Sequence, residues 1–131
     1  MTFQRGELFS SIAFGEGDRR KDEFVSILAS GGGTRVERIV SEGHASSEGF
    51  WYDQDEWEWV AVLQGSAELE FEGRDRVELS AGDWVLIPAH ERHRVIRTSA
   101  EPQCVWLAVF GQRLVPEQGE APCEGKNKEV S

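Results

Sequence analysis

The 131-residue sequence has only two cysteines and no long apolar run. Cys104 alternates within an apolar segment and Cys123 lies in a polar one, so a structural disulfide is not expected and a reducing cytoplasm fits best. No apolar stretch reaches the ~20 residues of a membrane span, and the first residues lack a signal-peptide pattern. These absences predict a cytoplasmic protein that does not insert into membranes.

Positive charge is also scarce, because 14 Lys and Arg stand against 24 Asp and Glu, a formal net charge of −10. Nucleic-acid partners are therefore not expected, since binding to phosphates needs a basic face. Between Glu42 and Phe71 the sequence contains carboxylates but no Lys or Arg. In the commoner case, such an acidic segment is a solvated surface that keeps the protein soluble. The alternative is that some of these carboxylates bind a cation.

The length and a hydrophobic content of 39% suit one domain with its own core. We expect an N-terminal arm and a short helix in residues 1–33, a β domain in residues 34–115 and a disordered polar tail in residues 116–131. The helix is expected over residues 18–30, because Phe24, Ile27 and Leu28 follow the i, i+3, i+4 spacing and three glycines come directly after it.

Short apolar or alternating segments, separated by turns that contain Gly or Pro, fill the chain from residue 34 to residue 110. Such spacing is typical of an all-β sandwich or barrel and not of a parallel sheet. The predicted strands are Val36–Val40, Trp57–Leu63, Ala67–Phe71, Val77–Leu79, Trp84–Ile87, His93–Thr98 and Cys104–Phe110.

One segment combines a turn glycine, Gly82, an apolar strand, Pro88 at the end of that strand, and His93 just beyond it. This order places an imidazole at the rim of a β-structure, where it can hold a metal or a small ligand. Glu58 lies in another strand, which ends at Gly65. A histidine and a carboxylate from separate strands predict half of a binding site.

These residues resemble the two motifs of the cupin family. Gly82, Pro88 and His93 fall on positions of the second motif, and Glu58 falls on the glutamate of the first, six residues before its final glycine. His90 replaces the inner glycine of the second motif. The resemblance covers residues 34–110 and implies an all-β, cupin-type jelly-roll β-barrel.

The sequence departs from the cupin pattern at the paired histidines of the first motif. Depending on the spacing, those positions hold either Tyr52 and Gln54 or Trp51 and Asp53. In this respect the chain resembles small bacterial cupins that lack the two histidines and have no well-defined activity. Strand alternation places Gln54 on the same face as Glu58, so we expect Tyr52 and Gln54 to point inward.

The candidate metal ligands are therefore Glu58, His93, Gln54 and Tyr52. This oxygen-rich set suits a divalent Fe, Mn, Zn or Ni ion, although a polar network without metal explains the same residues. His44 is a further candidate ligand if its Gly- and Ser-rich loop folds over the site, and otherwise a solvated loop residue.

Two functions remain open at this point. The first is a metal-dependent isomerase, lyase or oxygenase in which Tyr52 is the candidate catalytic residue, as a ligand or as a general acid or base. The second is a non-catalytic module that binds a small ligand, such as a sugar, through Trp51, Tyr52 and Gln54. In both cases the partner is a small molecule.

The segments Trp57–Leu63 and Cys104–Phe110 are apolar on both faces. One face of each fills the core, and the other would form a large exposed apolar patch in a monomer. The N-terminal arm covers only part of it, so we predict a homodimer in which the two sheets pair.

Overall fold

The computed structural model describes residues 2–15 and 22–117, and its regular structure consists of eight β-strands. They are β1 (Phe24–Gly31), β2 (Thr34–Ser41), β3 (Trp57–Gln64), β4 (Ser66–Phe71), β5 (Arg76–Ser80), β6 (Trp84–Ile87), β7 (His93–Thr98) and β8 (Cys104–Gly111). The prediction of an all-β chain is confirmed. Each of the seven predicted strands is present, with ends within two residues of the expected ones.

The strands form two antiparallel sheets. Five strands make one sheet in the order β1-β2-β8-β3-β6, and three make the other in the order β5-β4-β7. The main core cluster draws on strands of both sheets, because the side chains that alternate inward are apolar. Its members include Val60, Val62, Leu69, Leu79, Ile87, Cys104, Trp106 and Phe110.

The predicted helix over residues 18–30 is wrong from Phe24 onward, where the chain forms β1 and pairs with β2. The pairing with β2 shifts register between Ile27 and Ala29, which indicates a β-bulge in this strand. Gly32 and Gly33 have φ angles of 58° and 80°, so they form the hairpin turn between β1 and β2 and do not end a helix. Residues 18–21 of this prediction lie outside the described residues.

Residues 2–15 form an extended arm that contacts β2 and the segment before β8. Arg38 donates a hydrogen bond to the carbonyl of Ser10. The Gln103 side-chain amide accepts from the Ile12 N–H at 3.1 Å and donates to the Ile12 carbonyl at 2.7 Å. The arm is thus attached partly by its backbone, and the ring of Phe14 also packs against that of His44, with centroids 4.9 Å apart.

The sequence predictions on cysteines, tail and membrane can be compared with this fold in part. Cys104 is buried and free, whereas Cys123 and all but the first two residues of the predicted disordered tail lie outside the described residues. Over residues 2–15 and 22–117, no helix is long and apolar enough to cross a membrane.

Candidate functional site

A cavity of about 200 Å³ lies against the inner face of the five-stranded sheet. Eight of its lining residues are apolar, and the polar ones are Glu23, Glu37, Tyr52, Gln54, Glu58 and His93. We call it the inner cavity. It therefore contains all four residues that the sequence predicted as metal ligands, together with two carboxylates that the sequence did not single out.

Backbone pairing brings Tyr52 and His93 side by side. The Tyr52 N–H donates to the His93 carbonyl at 2.7 Å, and the His93 N–H donates to the Tyr52 carbonyl at 3.2 Å. The two rings stack with centroids 5.3 Å apart, and Phe71 packs against the His93 ring at 5.8 Å. This packing fixes the orientation of the imidazole.

Glu58 reaches the inner cavity from β3, where it pairs with Ile87 of β6 and with Phe110 of β8. Its Oε1 lies 3.8 Å from His93 Nε2 and accepts a hydrogen bond from Gln54 Nε2 at 3.3 Å. Glu58 and His93 are 8% and 4% exposed. The predicted pair of a carboxylate and an imidazole from separate strands is thus present as a pair of buried neighbours.

Burial raises the pKa of Glu58 to about 7, against the lowering effect of the Gln54 hydrogen bond. Burial also lowers the pKa of His93, and its hydrogen bond with the Glu91 carbonyl opposes that change. The carbonyl can only accept, so His93 Nδ1, at 2.8 Å, carries the proton. A neutral imidazole therefore presents its Nε2 lone pair on the side of Glu58.

Tyr52 is held as a neutral phenol. Burial, followed by the negative charges of Glu23 and Glu58, raises the pKa of Tyr52 to about 12. The hydroxyl therefore keeps its proton near neutral pH and can donate a hydrogen bond, but a phenolate is disfavoured. The neutral phenol is a poor metal ligand, but it remains a good hydrogen-bond donor.

Of the two carboxylates that the sequence analysis missed, Glu23 directly precedes β1 and Glu37 lies on β2. Glu23 Oε2 accepts a hydrogen bond from Ser41 Oγ at 2.8 Å, and Ser41 Oγ accepts one from Trp106 Nε1 at 3.0 Å. Glu37 receives a hydrogen bond from Arg35 Nε at 2.6 Å. Glu37 and Ile39 are two residues apart on β2 and so share a face, which was a signal available in the sequence, but the incorrect helix concealed the position of Glu23.

The frame of the first motif is settled by which side chains reach the inner cavity. Tyr52 and Gln54 line it, whereas Asp53 accepts a hydrogen bond from His90 Nδ1 at 2.7 Å on the exposed surface. Trp51 is not part of the cavity wall and lies near Arg94, whose guanidinium carbon is 5.6 Å from its ring centroid. Trp51 was expected to contact a ligand, but it does not line this cavity.

His90 replaces the inner glycine of the second motif but keeps a backbone conformation typical of glycine. Its φ is 64°, in the left-handed region that glycine adopts freely. The neighbouring Asp53, through its hydrogen bond, raises the pKa of the exposed His90. His90 is therefore a surface residue of the turn and not a member of the site.

His44 does not remain a solvated loop residue, because it is 4% exposed and its ring lies 4.9 Å from that of Phe14. Its Nδ1 accepts the Glu42 N–H at 2.8 Å. His44 lines a second cavity of about 390 Å³, the outer cavity, which shares Tyr52 with the inner one. His44 does not line the inner cavity, so the structure does not support His44 as a further metal ligand there.

The donor set does not make up a full metal centre. Within residues 2–15 and 22–117, no group of three or more His, Cys, Asp or Glu side chains could hold a metal ion. Catalytic zinc sites, for comparison, use three protein ligands. Among the four candidate ligands, Glu58 and His93 form a close pair, with Oε1 and Nε2 3.8 Å apart, and the other two are a neutral amide and a neutral phenol.

Comparison with known proteins supports the fold. The cupin domain model matches residues 37–110. A putative mannose-6-phosphate isomerase from Ralstonia eutropha JMP134 is 41% identical, with a TM-score of 0.76 over 84% of this chain and 99% of that one. No curated protein matches this chain in sequence.

Two less similar structures share the fold. A cupin superfamily protein from Desulfitobacterium hafniense DCB-2 is 16% identical, with a TM-score of 0.63 over 85% of this chain and 94% of that one. KdgF from a Halomonas species is 21% identical, with a TM-score of 0.60 over 72% of this chain and 84% of that one. These two likenesses concern the fold, whereas the match of the cupin domain model to more than half of the chain shows that the chain belongs to the cupin family.

Proposed function

We propose that the chain binds a small molecule in the inner cavity and catalyses proton transfer on it, as in an isomerase. The observation that carries this proposal is the pair formed by Glu58 and His93, two buried groups 3.8 Å apart on the wall of a cavity. A general acid or base works best when its pKa lies near the working pH, and the pKa of Glu58 is about 7. The 41% identical protein, a putative mannose-6-phosphate isomerase, is a relative whose name fits this class.

The proposed step is the isomerisation of an α-hydroxy carbonyl compound. As a carboxylate, Glu58 takes the proton from the carbon that bears the hydroxyl, and as a carboxylic acid it returns the proton to the former carbonyl carbon. The hydroxyl proton passes to the former carbonyl oxygen, so the hydroxyl and the carbonyl exchange places and no proton is gained or lost overall. The neutral Tyr52 hydroxyl donates a hydrogen bond to the carbonyl oxygen, where negative charge develops. The His93 Nε2 lone pair accepts a hydrogen bond from a ligand hydroxyl or amine.

Hydrogen exchange with solvent tests this step directly. Small α-hydroxy and α-amino carbonyl compounds are incubated with the protein in D₂O, and deuterium uptake next to the carbonyl is followed by proton NMR. Glu58→Gln should slow the uptake on the order of 10²-fold or more, because Gln cannot carry the proton. Glu68→Gln is the matched control, since Glu68 alternates with inward Ala67 and Leu69 on β4.

Exchange at the wild-type rate in folded Glu58→Gln protein would contradict the assignment, as would absence of exchange across the compounds tested. The alternative is a binding module without catalysis, for example for a sugar, that uses Tyr52 and Gln54. It is favoured if calorimetry detects ligand binding that Glu58→Gln weakens while no deuterium enters the ligand.

We also propose, as a separate point, that a divalent Fe, Mn, Zn or Ni ion binds weakly at Glu58 and His93. Support comes from the neutral imidazole, whose Nδ1 proton is held by the Glu91 carbonyl and whose Nε2 is free to coordinate. Calorimetric titration with each metal salt should detect binding to the wild-type protein and none to His93→Ala. Equal binding by the two proteins would place the metal elsewhere.

The charge and the apolar sheet faces support further proposals on partners and location. With a net charge of −10, we infer small-molecule partners and no nucleic acid. We propose that the protein is cytoplasmic. We also propose that it forms a homodimer, because Trp84 on β6 is 57% exposed beside Trp59, with ring centroids 5.8 Å apart, and pairing would cover this apolar surface.

A further inference from the structure

We propose that the inner cavity binds a small amphipathic cation, an ammonium group attached to a short apolar body, and that it rejects sugar phosphates and other anions. This inference rests on the proposed function, because it names the ligand class of the same cavity. It follows from the charges on the wall, from the pairing of Arg35 and from the apolar remainder of the lining.

The charges on the wall are of one sign. Glu23, Glu37 and Glu58 line the inner cavity, and Asp22 and Glu23 line the adjoining outer cavity. Among the described residues, neither cavity is lined by a Lys or an Arg. A phosphate or carboxylate would therefore leave water for a site without a counter-charge and with several like charges, which opposes its binding.

Arg35 contacts residues of this wall, and its guanidinium is already paired. Its Nε donates to Glu37 at 2.6 Å, and its terminal nitrogen donates to both oxygens of Glu56 at 2.8 and 2.9 Å. The guanidinium carbon also lies 4.4 Å from the centroid of the Phe110 ring. Arg35 thus partly neutralises Glu37 but is not among the residues that line the cavity.

Glu23 and Glu58, by contrast, receive their hydrogen bonds from neutral donors. Ser41 Oγ donates to Glu23 at 2.8 Å, and Gln54 Nε2 donates to Glu58 at 3.3 Å. Neither bond brings a positive charge into the cavity. An ammonium group would supply both the missing charge and up to three N–H donors, and hydrogen bonds between such charged partners are stronger than neutral ones.

The remainder of the lining suits an apolar body. Aliphatic side chains and the rings of Tyr52, Trp106 and Phe110 complete the wall. Aromatic faces also attract cations, so the rings favour an ammonium group over a neutral head of the same shape. The volume of about 200 Å³ corresponds to about six or seven water molecules at ~30 Å³ each. A benzylammonium ion therefore makes a suitable probe.

Three probes of nearly the same shape test the charge preference, namely benzylamine, benzyl alcohol and benzoate. Calorimetric titration of the full chain near neutral pH should show benzylamine binding at least about tenfold more tightly than benzyl alcohol. Benzoate, inorganic phosphate and mannose 6-phosphate should give no detectable binding.

Glu58→Gln should remove most of the preference for the amine, whereas Glu68→Gln should keep it. Circular dichroism establishes that each variant is folded. The full chain is used because Arg19, Arg20 and Lys21 precede Asp22 and lie outside the described residues. Their effect on anions is included in the measurement.

Tighter binding of benzoate or a sugar phosphate than of benzylamine would overturn the proposal, and so would the absence of amine binding. These results are distinguishable from a failure of the proposed function. Anion binding with deuterium exchange that depends on Glu58 would leave the catalytic pair intact and refute only the ligand class. Amine binding without any exchange would support the ligand class and refute the catalysis.

Discussion

The pH dependence of stability offers a sharp test of the buried carboxyl group at the centre of the site. Burial raises the pKa of Glu58 from an ordinary 4.5 to about 7. The folded state therefore holds this proton more tightly than the unfolded state does. Its contribution to stability is fully present below about pH 4.5 and is lost as the pH rises through 7. At about 1.4 kcal/mol per pKa unit, the loss is about 3 kcal/mol.

The variant Glu58→Gln isolates this effect, because the amide has a similar shape and no titration. The free energy of unfolding is measured by urea denaturation at about pH 5 and about pH 8.5 without ligand. Between these two values, the stability of the variant relative to the wild-type protein should increase by about 2 to 3 kcal/mol. The comparison cancels groups that titrate alike in the two proteins.

Glu68→Gln serves as the control, since its side chain alternates with buried neighbours on β4 and is not part of the cavity wall. Its stability relative to wild type should change little over the same pH range. A difference between Glu58→Gln and wild type that stays constant from about pH 5 to about pH 8.5 would refute the reasoning. The carboxyl group would then be hydrated in the folded protein, and its role as an acid or base near neutral pH would lose its support.

Three further predictions concern the fold and the assembly. Gly65→Ala should lower the free energy of unfolding, measured by urea denaturation, by on the order of 3 kcal/mol. The new Cβ would lie 2.3 Å from Ser99 Oγ and 3.0 Å from Cys104 Cα, at a φ of 82° that favours glycine. A loss of only a few tenths of a kcal/mol would contradict this packing. His90→Gly should leave the melting temperature unchanged or slightly higher, since glycine adopts its φ of 64° without strain, and a large drop would show that the exposed ion pairs of the turn outweigh the backbone effect. Light scattering should give twice the monomer mass of 14.7 kDa, with Trp84→Ser shifting the equilibrium toward monomer, whereas a monomeric wild-type protein would leave the arm as the only cover of the outer face.

Strand positions were readable from the sequence because they depend on local patterns. Alternation in Ala67–Phe71 and the apolar segment Trp84–Ile87 each had one interpretation once their glycine and proline boundaries were recognised. Residues 24–31 were misread because three apolar residues with helical spacing are a weak signal. The hydrogen bonds that decide their conformation come from β2, and such pairing outweighs local preference.

The site was predictable in part for a similar reason. Glu58 and His93 occupy fixed places in motifs, and strand parity selected Tyr52 and Gln54 over Trp51 and Asp53. Glu23 and His44 could not be placed, because each owes its position to a distant partner. Glu23 is fixed by Ser41, and His44 by packing against Phe14 of the arm.

The sequence by itself determined seven of the eight β-strands, the cupin motifs and the excess of negative charge, all of which depend on residue identity and short-range spacing. Only the tertiary structure decided that Glu58 is buried beside a neutral His93, because a pKa depends on the surroundings and not on the residue type. It also decided that Glu23 and Glu37 share the cavity wall with Glu58, since β1 and β2 meet β3 only through β8 in the folded sheet. Long-range pairing of strands therefore creates the acidic cavity from carboxylates that look like ordinary surface charge in the sequence.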